Sequence, residues 1–218
     1  MSEIGIGHVE SAGAPRSALG RRFMTVWAGQ TVSAIGSNIA GIGMAVFVFL
    51  ETGSTIWLGV LTAAAAAPYA LLGPVLHLVD RWPRKAVMIG GDCVAAVGTA
   101  FALTMAGIGQ LEIWHLAVGA LLGGIGSAFQ TPAAQAAVPL LVPPSELGRA
   151  NGLAQLGPAV GIVSGPLLAA PLVAWWGITA VLVVDLVTFV VAMATVVAVR
   201  IDEGAAIRAD IIGSGASV

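Results

Sequence analysis

The stretch from Ala150 to Val199 carries a single charged residue, Asp185. As one straight helix it would be about 75 Å long, more than twice a hydrocarbon core of roughly 30 Å, so it has to fold back once. The predicted outer turn is Trp175-Trp176-Gly177, which separates a helix over about 149 to 174 from one over about 178 to 199. Composition places the whole chain in the same class. Only 9% of residues are charged and 58% are hydrophobic, whereas a soluble domain has roughly 25% charged residues. The chain reads as an all-α, polytopic integral membrane protein.

Four more apolar runs precede this stretch. Phe23 to Leu50 contains no Asp, Glu, Lys or Arg and turns at Glu51-Thr52-Gly53. Thr55 to Val79 leads into the charged link Asp80-Arg81-Trp82-Pro83-Arg84-Lys85. A third run extends from Ala86 to about Ile108, and a fourth from Ile113 to Leu141, ahead of a turn at Pro143-Pro144-Ser145-Glu146. Six transmembrane helices over 23–199 result, with a tail at 1–22 and another at 200–218. Lys and Arg occur only at 16, 21, 22, 81, 84, 85, 149, 200 and 208, all on one side of this map. Because basic residues at helix ends set orientation, that side and both termini are expected in the cytoplasm. Tryptophans 27, 57, 82, 114, 175 and 176 all fall near predicted helix ends, where amphipathic rings prefer the headgroup level.

Small residues recur at four-residue spacing, as in Gly157, Gly161 and Gly165 or Gly119 and Gly123. In lipid, close backbone approach replaces the hydrophobic force that joins helices in water, so these glycines are read as packing residues. The lone cysteine, Cys93, excludes an internal disulfide and a multi-cysteine metal site. No metal, other cofactor or nucleic-acid partner is expected. Nor is enzymatic activity: His77 and His115 fall at opposite membrane faces, and Ser164 lacks a Gly two residues before it.

Two acidic residues lie inside the predicted spans. An ionised Asp at the bilayer centre costs roughly 2.5 to 3.5 kcal/mol, so such residues usually face the bundle and serve a function. Asp92, about 10 Å past Lys85 along a helix, is expected to tie to Arg81 or Arg84, with proton coupling as the alternative. Asp185 has no obvious basic partner. It either takes up a proton during function or stays protonated and hydrogen-bonded to a neighbouring helix.

The charged link resembles the loop between helices two and three of the major facilitator superfamily, Gly-x-Leu-Ala-Asp-Arg-x-Gly-Arg-Lys, with Asp80, Arg81, Arg84 and Lys85 in the matching places and Leu76 and Pro83 where that pattern has glycine. Gly126-Ser127-Ala128-Phe129-Gln130-Thr131-Pro132-Ala133, Leu147-Gly148-Arg149-Ala150-Asn151-Gly152-Leu153, and Asp185 with Phe189 are similar to segments of its drug, macrolide and siderophore exporters. The resemblance covers residues 21 to 200.

What it implies is a secondary active transporter of the plasma (inner) membrane, exporting a small amphipathic solute such as a drug or siderophore by alternating access. Asp80 would be the latch of a gating loop completed by Arg81, Arg84 and Lys85; alternatively the loop is a positive-inside anchor. Gln30, Ser37 and Asn38 on the first helix, and Ser127 and Gln130 beside Phe129 on the fourth, would line the substrate cavity, or each would donate to a nearby carbonyl. The Arg that many proton-driven relatives carry in helix four is replaced by Ala120. A weak internal echo at offsets of about 90 residues, Ile35-Gly36-Ser37 with Ile125-Gly126-Ser127 and Asp92 with Asp185, fits inverted three-helix repeats. The fold has two six-helix halves and this sequence supplies one. A second six-helix chain completes it, or two copies pair, or it is a half-size or truncated module that does not transport alone.

Overall fold

A computed structural model describes residues 19–72 and 82–201. Asp80, Arg81 and His77 lie outside the described residues. Five helical elements follow one another: α1 (Arg21–Thr52), α2 (Thr55–Leu72), α3 (Arg84–Gly107), α4 (Ile113–Leu141) and α5 (Leu147–Ala198). A short 3-10 turn, Pro144–Glu146, precedes α5. There Glu146 holds Arg149 in an ion pair at 2.9 Å.

The expected six crossings are present in five elements because the last one reverses at a single residue. Gly177 has φ 74° and ψ −177°, outside helical geometry, and a glycine adopts this positive φ without the Cβ clash that other residues meet. The turn predicted over three residues is thus confined to one. Packing along α1 establishes the reversal. A Cβ built at Gly157, Gly161 or Gly165 would meet Thr31, Asn38 or Ile42, so the outgoing arm of α5 ascends alongside α1. The returning arm descends the same helix, with Gly29, Gly36 and Gly43 set against Thr195, Thr188 and Val181. At Gly29 and Gly36 a Cβ would overlap the threonine hydroxyl. Small residues therefore bring both arms onto α1.

Prolines 132 and 139 in α4 and 158, 166 and 171 in α5 sit inside helices. Membrane helices tolerate them because neighbouring helices and local adjustments satisfy the freed backbone groups. At its start α4 is closed by a reciprocal cap: the Glu112 N–H donates to His115 Nδ1 at 2.9 Å, while the Glu112 side chain accepts the His115 N–H. Of the expected small-residue contacts, Gly119 packs against Gly98 but Gly123 faces open space.

One end of the bundle gathers the positive charge. Phe23, Val138, Val142 and Ala150 pack together, as do Val26, Val87, Met88 and Val196. These contacts bring the starts of α1, α3 and α5 to the same end as the finishes of α4 and α5. Every Lys and Arg among the described residues lies there, and Gly53, Gly109 and Gly177 mark the opposite end. Lys85 Nζ donates to the carbonyls of Val197 and Val199, both at 2.8 Å. A cation is favoured at a helix C-terminus, where the last carbonyls lack helical partners, so this residue of the charged link is staked to the end of α5. Much of the outer surface is apolar: Ile56, Leu71, Val163 and Leu167 are each more than 70% exposed, as a bilayer-facing or bundle-facing surface requires.

Candidate functional site

The bundle forms a partly open cavity of about 330 Å³ lined by all five helical elements. From α1 come Trp27, Gln30, Ser37 and Asn38; from α2, Tyr69; from α3, Asp92; from α4, Ser127 and Gln130; and from α5, Gln155 and Phe189. A second cavity, of about 490 Å³, adjoins it toward the opposite end of the bundle and shares Ser37, Tyr69, Ser127 and Phe189. Ala120 lines this second cavity.

Asp185, on the returning arm of α5, is buried at the wall of the second cavity. Its Oδ1 accepts the Ser37 hydroxyl at 3.1 Å and its Oδ2 the Thr99 hydroxyl at 2.7 Å. One carboxylate thereby ties α1 and α3 to α5, with both oxygens engaged. Thr99 was not among the residues expected at the site. Its signal is that it stands seven residues after Asp92 on the same helix, two turns along and on the same face.

Asp92 is equally buried but differently served. Gln130 Nε2 donates to its Oδ1 at 3.0 Å and also contacts Gln30 Oε1. Asp92 Oδ2, Gln30 Nε2 and Thr31 Oγ1 are buried without a hydrogen-bond partner among the described residues. Of the expected ties from Asp92 to Arg81 or Arg84, Arg81 lies outside the described residues, and the donor found on Asp92 Oδ1 is Gln130. Arg84 directs Nη1 to the Trp82 carbonyl at 3.3 Å, and the step of eight residues from Arg84 to Asp92 places the carboxylate about 12 Å farther into the bundle. Beside Asp92 the backbones of α3 and α4 nearly touch, since a Cβ at Gly126 would overlap the Gly91 carbonyl.

The other expected cavity residues divide. Asn38 lines the cavity, but its Nδ2 donates to the Ala34 carbonyl of its own helix at 2.8 Å. Ser127 reaches both cavities. Phe129 does not line them; it packs against the apolar cluster of Val87, Met88 and Val196. The reason is helical phase: 127, 130, 131 and 134 share one face of α4, and 129 is turned to the other side.

Residues 26–211 match the family model of the Major Facilitator Superfamily. Macrolide efflux protein A of Streptococcus pyogenes is 35% identical over 181 residues, 83% of this chain and 45% of the relative. A protein of the same name from Enterococcus faecalis is 36% identical over 135 residues, 62% of this chain and 42% of its own length. An uncharacterized MFS-type transporter of Mycobacterium tuberculosis is 35% identical over 104 residues, 45% of this chain and 22% of that protein. The chain thus spans about half the length of the macrolide efflux relatives it matches. Helices that cross a bilayer six times, a polar cavity between them and this match over most of the sequence lead to one assignment: the chain belongs to the major facilitator superfamily.

Proposed function

We propose that this chain is one six-crossing half of an efflux transporter that moves small amphipathic solutes of the macrolide kind out through the plasma membrane by alternating access. The observation that carries the reading is the cavity itself: neutral polar groups from α1 and α4, with aromatic walls, suit a weakly polar solute with a large apolar surface. Its basic end faces the cytoplasm by the positive-inside rule, and both termini lie there with it.

In this reading a second six-helix half closes the cavity and rocks against this one. Asp80, Arg81, Arg84 and Lys85 form the handle of that motion. Lys85, bound to the last carbonyls of α5, links the loop to the end of the half, so that movement at the loop is felt where α5 finishes. Asp92 and Asp185 are the groups available for proton coupling or solute contact.

The test is accumulation of a radiolabelled macrolide in an efflux-deficient bacterium expressing the chain alone, or together with the C-terminal half of the Streptococcus pyogenes relative. Lower accumulation in the paired cells alone identifies a half-module; lower accumulation in both identifies a self-sufficient exporter. Accumulation equal to that of cells lacking the chain in both arms would defeat the efflux reading.

A further inference from the structure

We propose that the second cavity is a size-limited subsite for the uncharged, apolar body of the solute, and that Gly41 and Gly123 set how large a body it admits. The inference rests on the reading of the adjoining cavity as the solute path, and adds which part of the solute lies toward the opposite end of the bundle.

The chemistry of the wall selects what can sit there. Six alanines and four glycines make up half of the twenty lining residues, with Met44, Leu61 and Leu182 among the larger ones. Among the described residues the one charged side chain on this wall is Asp185, and the hydroxyls of Ser37 and Thr99 already engage its two oxygens. A ligand group placed here loses water without gaining a strong polar partner, which favours apolar surface and penalises charge. The volume of about 490 Å³ falls within the roughly 300 to 1,000 Å³ of sites that hold small molecules. Ser37, Tyr69, Ser127 and Phe189 belong to both cavities. One solute can therefore lie across them, with its polar groups near Gln30 and Gln130 and its apolar body beyond.

The glycines decide the size. All three glycines of the first cavity are packing residues: a Cβ at Gly91 or Gly126 would overlap the carbonyl oxygen of the other, and one at Gly157 would meet Thr31. On the wall of the second cavity Gly119 and Gly124 are of the same kind, set against the Gly98 and Ala65 carbonyls. Gly41, on α1, and Gly123, on α4, also line this cavity, yet a Cβ added at either meets nothing within 4 Å among the described residues. Helix packing does not require a missing side chain at these two places. A larger residue at either one would take room from the cavity while leaving the helix contacts as they are.

The experiment uses the 218-residue chain in nanodiscs of zwitterionic phosphatidylcholine, with two uncharged fluorescent probes that differ in the bulk of their apolar body, the dansyl amides of cyclohexylamine and of cyclododecylamine. Binding is read as fluorescence above that of empty nanodiscs, and the wild-type chain is expected to bind both. Gly41→Leu and Gly123→Leu are each expected to weaken the cyclododecyl probe about tenfold or more and the cyclohexyl probe less than about threefold. Gly59→Leu makes the same change at an α2 glycine that has open space but lines neither cavity, and should leave both affinities at the wild-type value. Valine replaces leucine at any position where the leucine variant does not fold. Equal weakening of both probes, no weakening of either, the same selective loss in Gly59→Leu, or a wild-type chain that binds the small probe and not the large one overturns the inference while leaving the solute cavity standing. Failure of both probes to bind above empty nanodiscs defeats the cavity reading, and the inference with it.

Discussion

Asp185 and Asp92 stand at corresponding places in the internal echo of this sequence, and both are buried carboxylates inside a membrane bundle, yet the protein treats them in opposite ways. Asp185 has a hydroxyl donor on each oxygen, contributed by α1 and α3. Asp92 has a donor on one oxygen, and three orphaned polar atoms lie in or beside its corner of the cavity. A node with every partner in place strengthens the fold more than a corner in which some polar atoms go unmatched. Asp185 is thus the fully bonded node of the bundle, and Asp92 the more sparsely bonded one.

The largest effect expected is on the seam beneath the Asp185 node. Gly36→Val places a branched side chain where the structure already holds Thr188, driving the returning arm of α5 from α1 and separating Ser37 from Asp185. A loss of about 3 kcal/mol in unfolding free energy is expected, read in detergent by denaturant titration. Gly123→Val, at a glycine with open space around it, should cost less than about 1 kcal/mol. Equal losses at the two positions would show that the seam does not carry the node.

Next comes the direct contrast between the carboxylates. Asp185→Ala removes the acceptor of two interhelical hydrogen bonds and should lower stability by about 2 kcal/mol. Asp92→Ala removes one bond together with an unmatched oxygen and should change it by less than about 1 kcal/mol. The reverse ranking would break the division outright. Thr99→Val is smaller, about 1 kcal/mol, and sharpens the same point through a double-mutant cycle: in an Asp185→Ala background it should cost almost nothing, because its partner is already gone. Additive losses would mean that the Thr99 hydroxyl contributes nothing through Asp185.

The crossings were legible because they follow from composition and length: Ala150 to Val199 is too long and too apolar for one span, and the placement of Lys and Arg fixes which turns share an end. The seam on the outgoing arm was legible in Gly157, Gly161 and Gly165. The matching row on α1, Gly29, Gly36 and Gly43, recurs every seven residues and escaped a search at four-residue spacing. Phe129 could have been turned from the cavity by helical phase alone. The roles of the two aspartates could not be read in advance, since what separates them is which donors other helices bring: Ser37, Thr99 and Gln130 lie 38 to 148 residues away along the chain. Sequence proximity pointed Asp92 to Arg81 or Arg84, whereas the donor found on it, Gln130, comes from another helix.

The smallest effect separates folding from function most cleanly. Gln30→Leu deletes a buried amide whose nitrogen has no partner and fills its place with an apolar side chain of similar length. Losing the unsatisfied nitrogen with its desolvation cost offsets losing the contact that Gln130 makes to Gln30 Oε1, so stability should stay within about 0.5 kcal/mol of wild type. If this cavity-lining amide serves a solute, the same substitution should weaken binding of a labelled macrolide while stability is kept. A clear loss of stability from Gln30→Leu would instead place this glutamine among the groups that hold the helices together, and the Asp92 corner would then belong to the framework as fully as the Asp185 node does.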